Sequence, residues 1–235
     1  MPIRLYIFET NCPIQKEERI RTAVRSFTYD SPASLTASLQ ICRTNKGRPY
    51  LVRNGKTAEE DPSVPEISIT DSGSCWIVAV SNQRIGIDLQ ENRVRRLSCP
   101  PDDAARCRKL ASRYFHPAES SFILSTQTDT ETIRRFFQIW TAKEAYVKYT
   151  GTGIDGTFSS FAVNTGAAYA GGDPKAPFFY QNPELDCVFL YPRADNCRTL
   201  CLCIGRSCRI SRSAPPADCR LYYYDFGQKG FFLYD

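Results

Sequence analysis

Long apolar runs are missing from this chain. No stretch approaches the roughly 20 consecutive apolar residues needed to span a bilayer. Residues 1–11 are too short and too interrupted by charge to serve as the apolar part of a secretory signal. We therefore expect a cytoplasmic protein that does not associate with membranes.

A strong excess of either charge is also missing. The 235 residues carry 30 basic and 25 acidic side chains, a formal net charge of +5. This excess favours an anionic partner such as a polyphosphate or an acidic protein surface, but it falls short of the basic stripe of nucleic-acid-binding proteins. Because no nucleic-acid-binding motif is present either, we expect no nucleic-acid partner.

Paired cysteine motifs are absent although cysteine itself is abundant. Eleven cysteines make an odd number, and several lie in runs typical of strands, such as residues 200–204. These favour small core residues that stay reduced. A metal site is an alternative for four of them, without the C-x-x-C spacing of zinc ribbons: Cys197, Cys201, Cys203 and Cys208.

The apolar pattern that is present predicts an α+β fold. With 42% hydrophobic residues, the chain can bury a substantial core. Alternation predicts strands at residues 4–8, 49–52, 66–70, 75–80, 84–90, 158–163, 187–191 and 199–204. Helical spacing predicts helices at residues 16–25, 103–115 and 132–149, and another that opens at 117. We expect a turn at 71–73, a hairpin of 75–80 with 84–90, and a helix cap at Gly151.

The strand at 84–90 carries the first candidate functional residues. A period of two places three aliphatic side chains on one face and Gly86, Asp88 and Gln90 on the other. The second face places a carboxylate and an amide beside a glycine that permits close approach. The alternative is an edge strand with one solvated face.

The helix at 132–149 carries the second set. Phe136, Trp140, Glu144 and Lys148 are spaced by four residues and form one stripe from apolar to charged. Glu144 and Lys148 could be an ordinary surface pair, or Glu144 could be a partly desolvated carboxylate that needs a cation. If Asp88 and Glu144 converge, their oxygens suit Mg²⁺.

Two motifs resemble a known family. Residues 86–90, GIDLQ, resemble the pattern G-(I/V)-D-(I/V/L)-E, and residues 140–153, WTAKEAYVKYTGTG, match W-x-x-K-E-(A/S)-x-x-K-x-x-G-x-G. In this order they resemble the 4′-phosphopantetheinyl transferase superfamily, in its larger surfactin-synthetase-activating (Sfp-like) class. Residues 46–50 resemble the family's G-(K/R)-P, and residues 115–119 its F-x-x-x-E.

The resemblance implies a fold and an activity. The fold would have two pseudo-symmetric halves, a shortened one at 1–83 and one at 84–235 with the metal and catalytic motifs. Each would be a small antiparallel sheet packed with helices, with coenzyme A and metal in the cleft of a monomer. The implied enzyme is a phosphotransferase that moves the 4′-phosphopantetheine arm of CoA to a serine of an apo acyl or peptidyl carrier protein. It would use Mg²⁺, or Mn²⁺ as an alternative, and release 3′,5′-ADP.

The resemblance also assigns residues. Asp88 and Glu144 fall on the metal-ligand positions, and Gln90 would bind metal weakly or through a water. Glu144, directly or through a metal-bound water, would take the proton of the carrier serine, with Lys148 and Asp88 completing the catalytic group. The implied CoA-binding residues are Arg48, Thr70, Asp71, Ser72, Lys143 and Lys148.

The sequence departs from the family pattern at three places. Gln90 replaces a third carboxylate of many relatives, which predicts weaker metal affinity. Residues 70–73, TDSG, replace S-H-S-G, whose histidine binds the 3′-phosphate of CoA, so Asp71 predicts weak discrimination between CoA and dephospho-CoA. The segment before residue 47 is shorter than in typical members. Arg19, Arg21 and Arg25 are candidate phosphate contacts there, or a solvated basic helix face.

The region between the motifs has two further candidate roles. Tyr114, Phe115 and Phe122 are candidates for docking a carrier protein, with core packing as the alternative. His116, the only histidine, is a candidate base, although its place before Pro117 favours a helix cap or loop. Gln90 and Asp71 together keep open a second function, a non-catalytic homologue that binds CoA or carrier protein.

Overall fold

The computed structural model describes residues 2–28, 38–91, 101–153, 157–163, 184–190, 198–205 and 219–234. The helices of these residues are α1 (Lys16–Phe27), α2 (Pro101–Tyr114), α3 (Pro117–Leu124) and α4 (Asp129–Thr150), followed by a 3₁₀ turn at Thr157–Ser159. The first six strands are β1 (Ile3–Glu9), β2 (Leu39–Arg43), β3 (Pro49–Arg53), β4 (Glu66–Ser72), β5 (Cys75–Ser81) and β6 (Ile85–Glu91). The remaining strands are β7 (Leu185–Leu190), β8 (Arg198–Gly205), β9 (Cys219–Asp225) and β10 (Gly230–Tyr234). Small sheets packed with helices confirm the predicted α+β class.

The described residues fall into two compact units. One comprises residues within 1–85 and 208–235, and the other comprises residues within 86–207. Strands β9 and β10, which the sequence did not predict, belong to the first unit. The division into pseudo-symmetric halves at 1–83 and 84–235 stays a prediction.

The first unit is built around the most apolar strand of the chain. Every residue of β5 is buried, as expected for a strand covered on both faces. It lies in a five-stranded sheet of order β10-β9-β1-β5-β4, with a separate β2-β3 hairpin. Helix α1 packs on this sheet through Ile20, Ala23 and Val24, which join the core around Phe8 and Trp76.

The predicted hairpin of residues 75–80 with 84–90 is wrong. Strand β5 has β1 and β4 along its two edges, so neither edge is open to β6. Strand β6 instead starts the sheet of the second unit, in the order β6-β8-β7. Asp71 and Ser72 belong to β4, and the connection to β5 turns at Gly73, whose φ of 58° suits glycine.

The second unit is organised by α4, which packs on β8 and α2. Thr128 caps its start by accepting a hydrogen bond from the Glu131 amide, and Gly151 ends it with φ 75°, as predicted. Residues 158–163 are not the predicted strand. They form the 3₁₀ turn and an irregular segment, because two carbonyls there bind a buried lysine instead of a neighbouring strand.

Five cysteines of the described residues are buried and pack in the cores: Cys75, Cys107, Cys187, Cys201 and Cys203. Cys197 and Cys208 of the alternative metal site lie outside the described residues. Within the described ranges, no group of three or more His, Cys, Asp or Glu side chains could hold a metal. In the same ranges, no helix combines the length and apolarity required to cross a membrane.

Candidate functional site

Asp88 lies at the centre of the candidate site. Strand β6 is buried on both faces from Ile85 to Leu89, so the alternative of a solvated face is wrong and Asp88 is only 4% exposed. Its Oδ1 accepts a hydrogen bond from Lys148 Nζ at 2.7 Å, and its Oδ2 accepts one from Gln90 Nε2 at 3.0 Å. The two motifs therefore meet, because Lys148 of α4 pairs with Asp88 of β6.

Gly86 makes this meeting possible. A Cβ at this position would lie 2.0 Å from the Ala145 carbonyl oxygen and 2.5 Å from the Tyr149 backbone nitrogen. Both atoms belong to the backbone of α4 and cannot rotate aside. Only glycine lets β6 approach α4 this closely, and this approach sets Asp88, two residues along, beside Lys148.

We expect Gly86→Ala to destabilise the protein by at least about 1–3 kcal/mol, because the added methyl overpacks a backbone contact. It should also lower any activity of the site, since β6 must shift away from α4. Urea unfolding of both proteins measures the difference. Gly230→Ala is the control, because its Cβ would come no closer than 3.8 Å to the Gln228 carbonyl oxygen. Equal stability of the Gly86 variant and the wild type would contradict the packing argument.

Glu144 is the second carboxylate of the site. It is 8% exposed, on the turn of α4 that precedes Lys148. Burial has the largest effect on its pKa, and the nearby negative charge of Asp88 has the next largest. Together they raise the pKa of Glu144 to about 7, although the positive charge of Lys148 acts in the opposite direction. Glu144 and Lys148 are therefore not an ordinary solvated surface pair. Glu144 is the partly desolvated carboxylate that the sequence analysis gave as the other interpretation.

The raised pKa of Glu144 links stability to pH. Because folding favours the protonated form, the stability contributed by this group is complete below its unfolded pKa of 4.5 and is lost as the pH rises through about 7. We expect Glu144→Gln to raise the free energy of unfolding of the metal-free protein at about pH 8 by up to about 3 kcal/mol, and by much less at about pH 5.

Urea unfolding at the two pH values tests this expectation. Glu131→Gln on the same helix is the control of opposite sign, because hydrogen bonds from Arg134 and Arg135 lower the pKa of Glu131. That variant should lose stability at about pH 8. A Glu144→Gln protein that is less stable than the wild type at that pH would overturn the assignment.

The donor set fits a hard divalent cation. Asp88 and Glu144 offer carboxylate oxygens and Gln90 an amide oxygen, and Mg²⁺ commonly binds through one or two carboxylates and fills its other positions with water or phosphate. Asp88 raises the pKa of Glu144, so the pair holds negative charge that a cation would compensate. The residues present therefore fit Mg²⁺.

Lys143 does not fit its predicted role as a CoA-binding residue. Its side chain is fully buried, and its Nζ lies 2.9 Å from Glu119 Oε2. The same ammonium donates to the carbonyls of Phe158 at 2.6 Å and Phe161 at 2.5 Å. These three acceptors match its three protons. Although Lys143 precedes Glu144 in sequence, successive helical residues point about 100° apart, so the two side chains serve different faces.

Glu119 is a buried structural residue to which the sequence assigned no role beyond its place in the pattern F-x-x-x-E. Besides Lys143, its carboxylate accepts hydrogen bonds from the backbone amides of Val163 at 2.7 Å and His116 at 3.0 Å. His116 caps α3 by accepting from the Ala118 amide, which confirms the capping interpretation. The signal was available, since a glutamate at the third helical position is typical of a capping box.

The aromatic candidates for carrier docking separate into two groups. Phe115 is buried and stacks on Phe136 with ring centroids 5.2 Å apart, so it is a core residue. Tyr114 is 43% exposed, and Phe122 is half-buried beneath the guanidinium of Arg135, 4.0 Å from its ring centroid. A docking role stays a prediction for Tyr114 and Phe122.

The predicted CoA-binding residues of the first unit lie on β4 and before β3. Arg48 donates to Glu66 Oε2 at 3.4 Å, and burial lowers its pKa against the effect of that carboxylate. It lines a pocket of about 260 Å³ together with Arg84. On β4, Thr70 is buried and Asp71 is exposed, followed by the half-buried Ser72. Their contacts with a nucleotide stay predictions.

Arg19 does not fit a phosphate-binding role. It is buried, and it donates to the backbone carbonyls of Ile14 at 2.8 Å and Cys12 at 2.6 Å, so it fixes the loop between β1 and α1. Arg21 is exposed, and Arg25 pairs with a glutamate of the same helix at 3.1 Å, which is the solvated basic face considered from the sequence.

Comparisons with known proteins point to one family. Residues 84–180 match the family model described as the 4′-phosphopantetheinyl transferase superfamily. A putative 4′-phosphopantetheinyl transferase of Synechocystis is 31% identical over 138 residues, 58% of this chain and 50% of that protein. A 4′-phosphopantetheinyl transferase of Bacillus subtilis is 27% identical over 146 residues, 61% of this chain and 54% of that protein. Sfp of Bacillus subtilis is 29% identical over 107 residues, 43% of this chain and 42% of that protein.

The chain spans about half the length of the curated relatives it matches. The matched region contains β6 and α4, and so it includes Asp88, Glu144 and Lys148. The convergence of these residues agrees with the two sequence motifs. Residues 84–180 are therefore similar to the 4′-phosphopantetheinyl transferase superfamily, and the similar proteins include Sfp of Bacillus subtilis.

Proposed function

We propose that this protein transfers the 4′-phosphopantetheine arm of CoA to a serine of an apo acyl or peptidyl carrier protein. The observation that carries the proposal is the convergence of Asp88, Glu144 and Lys148, contributed by two motifs about 50 residues apart. We propose further that it acts as a cytoplasmic monomer and binds neither nucleic acid nor membrane.

The reaction forms one bond and breaks another. The serine oxygen of the carrier protein attacks the β-phosphate of CoA, the bond from that phosphorus to the bridging oxygen breaks, and 3′,5′-ADP leaves. The serine proton passes to Glu144. With a pKa of about 7, Glu144 is basic enough to accept a proton near neutral pH and is not locked in either state.

The other two residues hold the reacting groups. Lys148 is 30% exposed on a flexible four-carbon stem, so its ammonium can reach a phosphate oxygen. Mg²⁺, held by Asp88 and Glu144 with a weaker contribution from Gln90, would supply charge neutralisation at the diphosphate. Asp88 is fixed in place by Gln90 and by the β6–α4 contact at Gly86. Most of the rate acceleration then comes from positioning and electrostatics.

Mass measurement of a carrier protein tests the proposal. The protein is incubated with CoA, Mg²⁺ and several apo carrier proteins, and each carrier is weighed for the addition of one phosphopantetheine arm. A gain that EDTA removes supports a metal-dependent transferase. If no carrier gains mass but CoA still binds by calorimetry, the second candidate, a non-catalytic binding homologue suggested by Gln90 and Asp71, replaces the first.

Asp71 makes a specific prediction about the nucleotide. Since a carboxylate at this exposed position repels a 3′-phosphate, we expect similar kcat/KM values for CoA and dephospho-CoA. Asp71→His should raise the preference for CoA about tenfold, by removing repulsion and adding a donor. Asp61→His, at another aspartate of the first unit, is the control and should leave the preference unchanged. A strong preference for CoA in the wild type would refute this role of Asp71.

A further inference from the structure

Asp88, a candidate metal ligand, already forms an ion pair with a lysine of the same chain. Lys148 Nζ lies 2.7 Å from Asp88 Oδ1, and the Asp88 side chain is 5% exposed. The other oxygen, Oδ2, accepts the hydrogen bond from Gln90. Both oxygens that would face a metal are therefore engaged by side chains of the protein itself.

An ammonium in this position opposes a divalent cation. A metal ion about 2.1 Å from the same oxygen would lie within a few ångströms of the lysine charge. At such distances two like charges repel by several kcal/mol even at the effective dielectric of a protein surface. Asp88 therefore cannot bind the metal ion while it is paired with Lys148 unless this repulsion is overcome.

The side chain of Lys148 is able to move away from Asp88. Its side chain is 30% exposed and sits in the last turn of α4, where a lysine stem can rotate towards solvent. Lys143, five residues earlier, is fully buried with three acceptors and has no such freedom. Of the two lysines in this motif, only Lys148 can exchange its partner.

We propose that Lys148 competes with the divalent cation for Asp88 and thereby couples metal binding to phosphate binding. This inference rests on the proposed function, because it takes the site to bind a metal and a diphosphate. In the nucleotide-free protein Lys148 holds Asp88 and weakens metal binding. When a phosphate attracts the ammonium, Asp88 is released and metal affinity rises. By linkage, metal binding frees Lys148 for the phosphate to the same extent.

Mn²⁺ binding in the absence of CoA tests the competition, measured by electron paramagnetic resonance of the free ion. We expect Lys148→Gln to bind Mn²⁺ about tenfold more tightly than the wild type, because a charged hydrogen bond no longer has to be broken. Lys148→Arg keeps the cation and should stay within about twofold of the wild type.

Arg134→Gln is the matched control. It removes one positive charge from the same helix, 14 residues away, which is about 21 Å along the axis and beyond the Debye length. It should leave the Mn²⁺ affinity unchanged. Thermal unfolding of each variant verifies that the fold is retained.

Weaker, equal or undetectable Mn²⁺ binding by Lys148→Gln would overturn the proposal. Equal tightening by Arg134→Gln would overturn it as well, since the effect would then be one of net charge. The transfer assay on the wild type is separate. A wild type that modifies a carrier while Lys148→Gln shows no tightening refutes only the competition. A wild type that modifies no carrier refutes the proposed function whatever the Mn²⁺ result.

Discussion

Glu144→Gln is expected to lower kcat/KM for carrier-protein modification by about 10³-fold, within the range measured for loss of a general base. The substitution preserves the shape of the side chain and removes both its proton-accepting ability and one of the two charges that suit a divalent cation. Because Glu144 is buried beside Asp88, water cannot easily replace it. The loss should therefore appear mainly in kcat, since the group acts on the reacting oxygen.

Single-turnover measurement of carrier modification under saturating CoA and Mg²⁺ gives this rate. Glu131→Gln, the same change on the same helix, is the control and should retain nearly full activity, because Glu131 lies 13 residues away at the start of α4. Activity of Glu144→Gln within about tenfold of the wild type would exclude Glu144 as the proton acceptor.

Lys143→Met is expected to destabilise the protein by about 3–5 kcal/mol, the usual cost of removing one partner of a buried ion pair. Glu119 would then be a fully buried carboxylate without a cation, and the carbonyls of Phe158 and Phe161 would lose their donor. Burial already raises the pKa of Glu119 and lowers that of Lys143, so both groups are strongly desolvated. The segment around Phe161 should loosen first.

A double-mutant cycle in urea identifies the pair as the cause. Adding Glu119→Gln to Lys143→Met removes the stranded charge and keeps an acceptor for one of the two backbone amides that bond to Glu119, so the double variant should be more stable than Lys143→Met alone. Lys109→Met, at an exposed position of α2, is the control and should change stability by less than about 0.5 kcal/mol. A loss below about 1 kcal/mol for Lys143→Met would mean that the ion pair contributes little.

The sequence was sufficient to place the residues whose position depends only on neighbours within the same helix or strand. The period of β6 placed Gly86 and Asp88 on one face, and the spacing of α4 placed Glu144 one turn before Lys148. The cap at Gly151 followed from the need for a left-handed residue at a helix end. Each of these features depends on neighbours within one element.

Features that depend on distant partners could not be predicted in this way. Alternation shows which face of β5 or β6 is apolar, but not which strand lies beside it, so the expected hairpin was wrong. Lys143 resembled a ligand because its partner, Glu119, is 24 residues away in sequence. The aromatic run in β9 has no clear alternation, so its place beside β1 is a tertiary effect.

The parallel pairing of β1 with β9 has a consequence for synthesis on the ribosome. Ile3 is made early and its partner Cys219 only after more than 200 further residues, whereas the described residues of the second unit all lie between them. Translation at about 5–20 residues per second leaves β1 without this neighbour for many seconds. All strands and helices of the unit that contains Asp88 and Glu144 are therefore synthesised before β9 can pair with β1, whose pairing with β5 is available much earlier.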